Sequence, residues 1–170
     1  IEIADFNHEA QAAIRWTQER LSAESRAFLE GLEGRLDGGH PDFTLAHASP
    51  RHPIWEYLLE AESAAENFPA FETRYCLVGH THKPAIFQKA PGHETVVPFR
   101  PRPDQQLELH SVGDLRLIIN PGSVGQPRDN DARAAYAILD LAALAWEYYR
   151  IPYPIELTQN QMRAARLPKR

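Results

Sequence analysis

Three histidines lie where the sequence predicts that a buried strand has just ended. His47 follows the apolar segment FTLA, and His80 and His82 follow the apolar segment YCLVG. Neutral imidazole nitrogen is a ligand for zinc, iron, nickel and manganese. His80 and His82 are separated by one residue, so they share a face in extended backbone and can reach two neighbouring ions from a tight loop. Residues of this type in these places indicate a metal site.

The same residues have a simpler interpretation. A pair of histidines one residue apart is also common in ordinary surface loops, and a single histidine after a strand is often a hydrogen-bonding core residue. Ligands collect at the carboxyl ends of parallel strands in α/β sheets, which favours the metal site if the two strands are neighbours. Both interpretations are compatible with the local sequence.

The elements that position the histidines follow from the surrounding pattern. Apolar residues at helical spacing predict two N-terminal helices, with Asn7 and Ser22 as their N-caps. The segment RLDGGHPD, residues 35–42, is predicted to be a loop, and residues 55–68 to be mostly helical. The order of strand, helix and strand around this helix predicts a right-handed βαβ unit, which would bring the three histidines into one crevice.

From residue 85 the pattern changes to short apolar segments separated by Gly, Pro and Asp. This alternation predicts an antiparallel sheet, followed by a final helix over the segment IELTQNQMRAARL. The predicted strands are AIFQKA, ETVVPF, QLELH, LRLIIN, AAYAILD and AWEYYRI.

Composition limits the class of protein. The chain has 170 residues, enough for one domain with a core, and its formal charge of −5 argues against general nucleic-acid binding. Its one cysteine, Cys76, excludes an intrachain disulfide framework and is compatible with a reducing compartment. No apolar run reaches the length of a membrane span. We therefore expect a cytoplasmic protein without a membrane partner.

Three longer motifs occur in the order LAHASPR, LVGHTHKP and INPGSVGQPRD. Together they resemble the C-terminal half of a calcineurin-like metallophosphoesterase, and most closely the bacterial and archaeal phosphoesterase branch with GHTH and NPGSVGQPR motifs. The segment FNHEAQAAIRWTQERLS is similar to the helical segment that follows the G-N-H-[DE] motif of that family. The resemblance covers nearly the whole chain.

The resemblance implies an α/β fold, a layered α/β sandwich of the metallophosphoesterase type whose N-terminal strands and helices are absent from this chain. Residues 1–170 would be the C-terminal portion of a single domain. The implied activity is hydrolysis of phosphate mono- or diesters by a hydroxide that two divalent ions activate, with manganese, iron, zinc or nickel as candidates. By resemblance, His47 and His80 bind one ion and His82 the other, and the partner is a small-molecule phosphate ester.

The remaining ligands of that family come from D-x-H, G-D and G-N-H-[DE] motifs upstream of the first histidine. None of them occurs in this chain in the family's pattern, and three histidines cannot complete a two-metal hydrolytic site. We therefore expect these ligands upstream of Ile1, in the same protein or in an N-terminal fragment that acts as a partner. No catalytic acid is assigned on this chain.

Two further residues are candidates for substrate binding. Arg51 can bind a phosphate oxygen through its guanidinium group, although a surface arginine after a proline turn is the simpler interpretation. Asn120 opens the glycine-rich loop NPGSVGQPR, which can orient the histidine loop, contact phosphate through backbone N–H groups, or act only as a turn.

Two other functions stay open from the sequence. The chain can be a regulatory or scaffold half of the same fold that binds no metal. It can also be a mononuclear zinc hydrolase that uses His47, His80, His82 and a water molecule.

Overall fold

The computed structural model describes residues 2–168, which divide into two compact units. The first unit contains residues 2–32 and 153–168, and the second contains residues 33–152. The prediction of a single domain over residues 1–170 stays a prediction, and its first residue and last two residues lie outside the described range. Within residues 2–168, no helix combines the length and the apolar character that crossing a membrane requires.

Four α-helices and nine strands make up the described chain. The helices are α1 (His8–Gln18), α2 (Ala23–Glu30), α3 (Ala61–Asn67) and α4 (Ile155–Ala164). The strands are β1 (Arg35–His40), β2 (Phe43–Ala46), β3 (Tyr75–Leu77), β4 (Ala85–Lys89), β5 (Val96–Phe99), β6 (Gln105–Glu108), β7 (Arg116–Asn120), β8 (Ala134–Asp140) and β9 (Ala145–Ile151).

The smaller unit consists of α1, α2, α4 and a 3₁₀ turn over Ile3–Asp5. Both predicted N-caps are confirmed. Asn7 accepts a hydrogen bond from the Ala10 N–H at 2.9 Å, and Ser22 accepts one from the Ser25 N–H at 3.0 Å. Each bond satisfies one of the backbone donors that the first turn of a helix leaves free.

The larger unit contains a six-stranded sheet in the order β1-β2-β3-β7-β4-β5. β2 pairs with β3 in parallel, with Phe43 opposite Tyr75, and β3 pairs in parallel with β7. The predicted strand, helix and strand with parallel neighbours is therefore confirmed. Because β2 and β3 are adjacent, their carboxyl ends lie side by side at one edge of the sheet.

The expectation of an antiparallel sheet after residue 85 is confirmed in part. All six predicted strands form, but β4, β5 and β7 join the same sheet as β2 and β3. Only β6, β9 and β8 make a separate antiparallel sheet, in that order. β7 is buried from Leu117 to Asn120 because both faces of the larger sheet are covered there, and such central strands have continuous apolar sequences.

Of two local predictions, one is wrong and the other is confirmed only from residue 61 onward. Residues 35–40 form β1 instead of a loop, because their backbone pairs antiparallel with β2 across the turn at residues 41–42. A register shift between Leu36 and His40 accommodates Gly38, whose φ of 83° is in the left-handed region. Residues 55–60 are not helical, and α3 begins only after its N-cap Glu60.

The apolar core lies on both faces of the six-stranded sheet. Alternate residues of β7 point to opposite faces, so Ile118 packs in one cluster while Leu117 and Ile119 pack in the other. Phe68 and Phe71 belong to the first cluster. The two clusters hold β7 rigidly between them, and with it the loop that follows Asn120.

This packing predicts that Ile118→Ala lowers the free energy of unfolding by about 3 kcal/mol, because it opens a cavity in a strand that is fully buried. The matched control is Ile138→Ala on β8, where the side chain is 52% exposed; we expect a loss below about 1 kcal/mol there. Urea unfolding monitored by circular dichroism measures the free energy of unfolding of both variants. Equal losses would contradict the described position of β7.

Candidate metal centre

His47 and His80 meet at the carboxyl ends of β2 and β3. The Gly79 N–H donates to the His47 carbonyl at 2.9 Å, which joins the two loops through their backbones. The side chains then approach so that His47 Nε2 lies 3.1 Å from His80 Nδ1, with the ring centroids 5.0 Å apart. The structure therefore brings together two histidines that lie 33 residues apart in the sequence.

His82 is held against the glycine-rich loop that follows β7. Its Nδ1 atom lies 2.9 Å from the Gln126 carbonyl, and its own carbonyl accepts a hydrogen bond from the Arg128 N–H at 3.1 Å. Because a carbonyl oxygen can only accept, the geometry assigns the proton of the neutral ring to Nδ1. The lone pair is then on Nε2. A carbonyl that fixes the tautomer in this way is the usual outer contact of a metal-binding histidine.

Both histidines of the GHTH motif have left-handed backbone. The φ angle is 61° at His80 and 59° at His82, a region that residues with a Cβ seldom adopt. The turn is held by a hydrogen bond from the Thr81 N–H to the Gly79 carbonyl at 2.7 Å. Strain of this kind concentrates at functional sites, where the surrounding structure supports it.

Asn120 is the buried residue that supports the turn. Its side-chain amide donates to the Gly79 carbonyl at 2.8 Å and to the Thr81 hydroxyl at 2.9 Å, and its oxygen accepts from the Gly122 N–H at 2.8 Å. This is the orienting role considered for the loop. Since each of these contacts is to the protein, Asn120 is a positioning residue here, and substrate binding by it stays a prediction.

The electrostatic setting of His80 favours its neutral form. Burial lowers the pKa of His80, and the neighbouring His47, His82 and Arg128 lower it further, while a backbone interaction with Trp55 acts in the opposite direction. The Nε2 atom of His80 is buried and has no hydrogen bond of ordinary geometry. The neutral imidazole is the form that binds a metal ion.

Arg51 is engaged with carboxylates. Its guanidinium donates to Glu66 at 2.7 Å and also to Glu56, and its backbone N–H donates to Asn67 at 3.0 Å. Ser49 and Asn67 donate to the same Glu56 carboxylate at 2.5 and 2.8 Å. Arg51 thus braces the loop after His47 against α3, and phosphate binding by it stays a prediction.

Sequence reasoning missed Glu56 and Asn67 as parts of the site's support. Glu56 lies in a segment predicted to be helical, and Asn67 has the position of an ordinary helix residue. The one usable signal in the sequence is the polar Asn67 at the end of an alanine-rich helix. In the structure Asn67 is fully buried, and its amide joins the network around Glu56.

The donor set fits a metal ion in chemistry but does not complete a site. The 3.1 Å contact is a hydrogen bond between the two rings, and two nitrogens at this separation could also share one ion at bond lengths of about 2.1 Å in place of the shared proton. Within residues 2–168, however, no group of three or more histidine, cysteine, aspartate or glutamate side chains is arranged to hold an ion.

The architecture and the loops after β2, β3 and β7 define a protein of the metallophosphoesterase type. The structure is similar to the crystal structure of a metallophosphoesterase from Sphaerobacter thermophilus, with a TM-score of 0.83 and 48% sequence identity over 95% of this chain. The chain belongs to the metallophosphoesterase family.

Two further proteins are similar to this chain. The uncharacterized protein MJ0912 of Methanocaldococcus jannaschii is 32% identical over 96% of the chain. The hypothetical protein PH1004 from Pyrococcus horikoshii shares the fold, with a TM-score of 0.64 at 18% identity over 98% of the chain. No family model matches. The chain spans just under two thirds of these proteins, namely 66% of the Sphaerobacter protein, 64% of MJ0912 and 60% of PH1004.

The network around Arg51 predicts how stability depends on pH. Burial raises the pKa of Glu56, but hydrogen bonds from Arg51, Ser49 and Asn67 outweigh it and lower the pKa from 4.5 to about 2. The ionised carboxylate of Glu56 then contributes about 3 kcal/mol to the free energy of unfolding. This contribution is complete above the pKa that Glu56 has in the unfolded state. It is lost as the pH falls through the pKa that Glu56 has in the folded state. Glu56→Gln should remove this contribution at neutral pH.

Urea unfolding of Glu56→Gln and of the unsubstituted protein at about pH 7 and about pH 3 tests this prediction. The difference in the free energy of unfolding between the two proteins should fall by roughly half at the lower pH, because Glu56 is then protonated in the unfolded state while it is still mostly ionised in the folded state. Glu66→Gln is the matched control. Glu66 also pairs with Arg51 but is 62% exposed, so we expect a loss below about 1 kcal/mol. A difference that does not change with pH would contradict the assigned pKa.

Proposed function

We propose that the complete protein is a metal-dependent phosphoesterase in which this chain supplies the histidine ligands. The observation that carries the proposal is the contact between His47 and His80 at the carboxyl ends of adjacent parallel strands, in a fold similar to a known metallophosphoesterase. Ligand sites in α/β sheets form at this edge. The substrate would be a phosphate mono- or diester.

His47 and His80 would hold one divalent ion and His82 a second, with manganese, iron, zinc or nickel as candidates. The 3.1 Å separation of nitrogens supports a shared ion for the first pair. The Nδ1 contact of His82 with Gln126 leaves its Nε2 as the ligand atom. Bound metal ions would polarise the phosphoryl group and supply hydroxide at neutral pH.

The residues of this chain act by holding and orienting the ligands. Asn120 fixes the turn that carries His80 and His82, and the Glu56 network fixes the loop that carries His47. We assign no general acid here. The carboxylates that a two-metal site requires would come from the part of the protein by which the relatives exceed this chain.

His82→Ala tests the proposal in the protein expressed from its complete gene. We expect metal-dependent hydrolysis of 4-nitrophenyl phosphate and its bis-ester to fall by more than about 100-fold, which exceeds the usual effect of an outer-shell change. Elemental analysis should show that one of the two ions per chain is lost, and the unfolding temperature should change little. His93→Ala is the matched control, because its side chain is exposed and away from the motifs.

Full activity with unchanged metal content in His82→Ala would refute the ligand role. A single bound ion in the unsubstituted protein would support the mononuclear alternative. A folded complete protein that binds no metal would support the regulatory or scaffold alternative.

A further inference from the structure

We propose that a cavity beside the histidine loop binds the leaving group of the substrate, and that this leaving group is apolar and carries a second negative charge. The inference rests on the proposed function, because it names the class of phosphate ester that the same site would accept.

The position of the cavity follows from the strand register. β4 runs antiparallel to β7, with Ala85 opposite Asn120, so β4 begins at the edge where the histidine loop lies. β5 returns antiparallel to β4, with Ile86 opposite Phe99. Extending this register by one residue places Arg100 opposite Ala85. The start of β4 and the end of β5 therefore meet at the edge of the sheet that carries the histidines.

The cavity has a volume of about 340 Å³, within the range of small-molecule sites. Most of its wall is apolar, and two of its lining residues, Leu58 and Phe87, are fully buried. The remaining apolar lining residues are Leu59, Pro84, Ala85, Pro98 and Phe99. Such a wall suits an aromatic or aliphatic group and excludes water from it.

Two chain connections join the cavity to the histidines. Lys83, which lines the cavity, directly follows His82. Leu58 directly follows Tyr57, whose ring centroid lies 4.5 Å from that of His80. These connections place the cavity next to the histidine loop, where it could receive the leaving group of a phosphate ester held at the histidines.

The polar part of the lining is cationic. Lys83 and Arg100 line the cavity, and within residues 2–168 neither side chain forms an ion pair. A second cavity, of about 520 Å³, shares Phe99 and Arg100 and adds Arg102. Positive charge therefore continues along this side of a protein whose net charge is −5. Cations that line an otherwise apolar cavity favour an anionic group on the ligand.

The probes for the test are two non-hydrolysable phosphonates with the same apolar body, benzylphosphonate and 4-(phosphonomethyl)benzoate, which differ by one carboxylate. Isothermal titration calorimetry on the complete protein, with and without manganese, measures their affinities. We expect the carboxylated probe to bind at least about tenfold more tightly, as one hydrogen bond to a charged group provides.

Lys83→Met and Arg100→Met should each reduce this preference, and the double variant should abolish it. Lys89→Met is the matched control: it removes the same charge at the other end of β4, where the side chain pairs with Glu94 and does not line the cavity. It should keep the full preference. Equal affinities for the two probes, or a preference that survives the double substitution, would overturn the inference.

Hydrolysis of 4-nitrophenyl phosphate separates this inference from the proposed function. Metal-dependent hydrolysis together with equal probe affinities would contradict the leaving-group pocket and leave the phosphoesterase proposal supported. Absence of hydrolysis together with a preference lost in the double variant would contradict the phosphoesterase proposal and support the anionic ligand class of the cavity.

Discussion

The parallel pairing of β2 with β3 and of β3 with β7 is the constraint on which the candidate site depends. It places three carboxyl ends at one edge, so that the loops with His47, with His80 and His82, and with Asn120 are neighbours. The hydrogen bonds from Gly79 to His47 and from Asn120 to Gly79 then hold the loops after these strands together, so that the imidazoles of His47 and His80 lie side by side. Core packing on both faces of β7 keeps this edge rigid, which a site built from strained loop residues requires.

The edge of the sheet that carries the histidines has imidazole and cationic side chains, whereas its nearby carboxylates are paired with Arg51. The three histidines are imidazole side chains, and the nearby cavity is lined by the cations Lys83 and Arg100. The neighbouring carboxylates Glu56 and Glu66 are both paired with Arg51. Glu56 is held by Arg51, Ser49 and Asn67, so its charge stabilises the loop after His47 instead of binding a metal. Under the proposed function, the histidine edge would therefore be one side of a metal site, and the carboxylate ligands would come from the part of the protein by which the relatives exceed this chain.

The sequence predicted the strands that end before His47 and His80 better than the connections of the sheet. The strands before His47 and His80 are short apolar runs bounded by turn residues, and their pattern identifies them directly. The strand β1 was missed because its glycine and aspartate residues disfavour extended structure locally, and only pairing with β2 stabilises it. The partition of the later strands between two sheets depends on long-range packing that period-two alternation does not encode. The Glu56 network was missed for a similar reason, since it joins residues up to 16 apart through side chains.

The most direct test of the central claim is a crystal structure of the complete protein grown with manganese, with anomalous data collected at the manganese edge. The account predicts an anomalous peak at about 2.1 Å from one nitrogen each of His47 and His80, and a second peak beside Nε2 of His82. Manganese bound elsewhere with these three imidazoles unligated, or no anomalous peak at this edge of the sheet, would contradict the account.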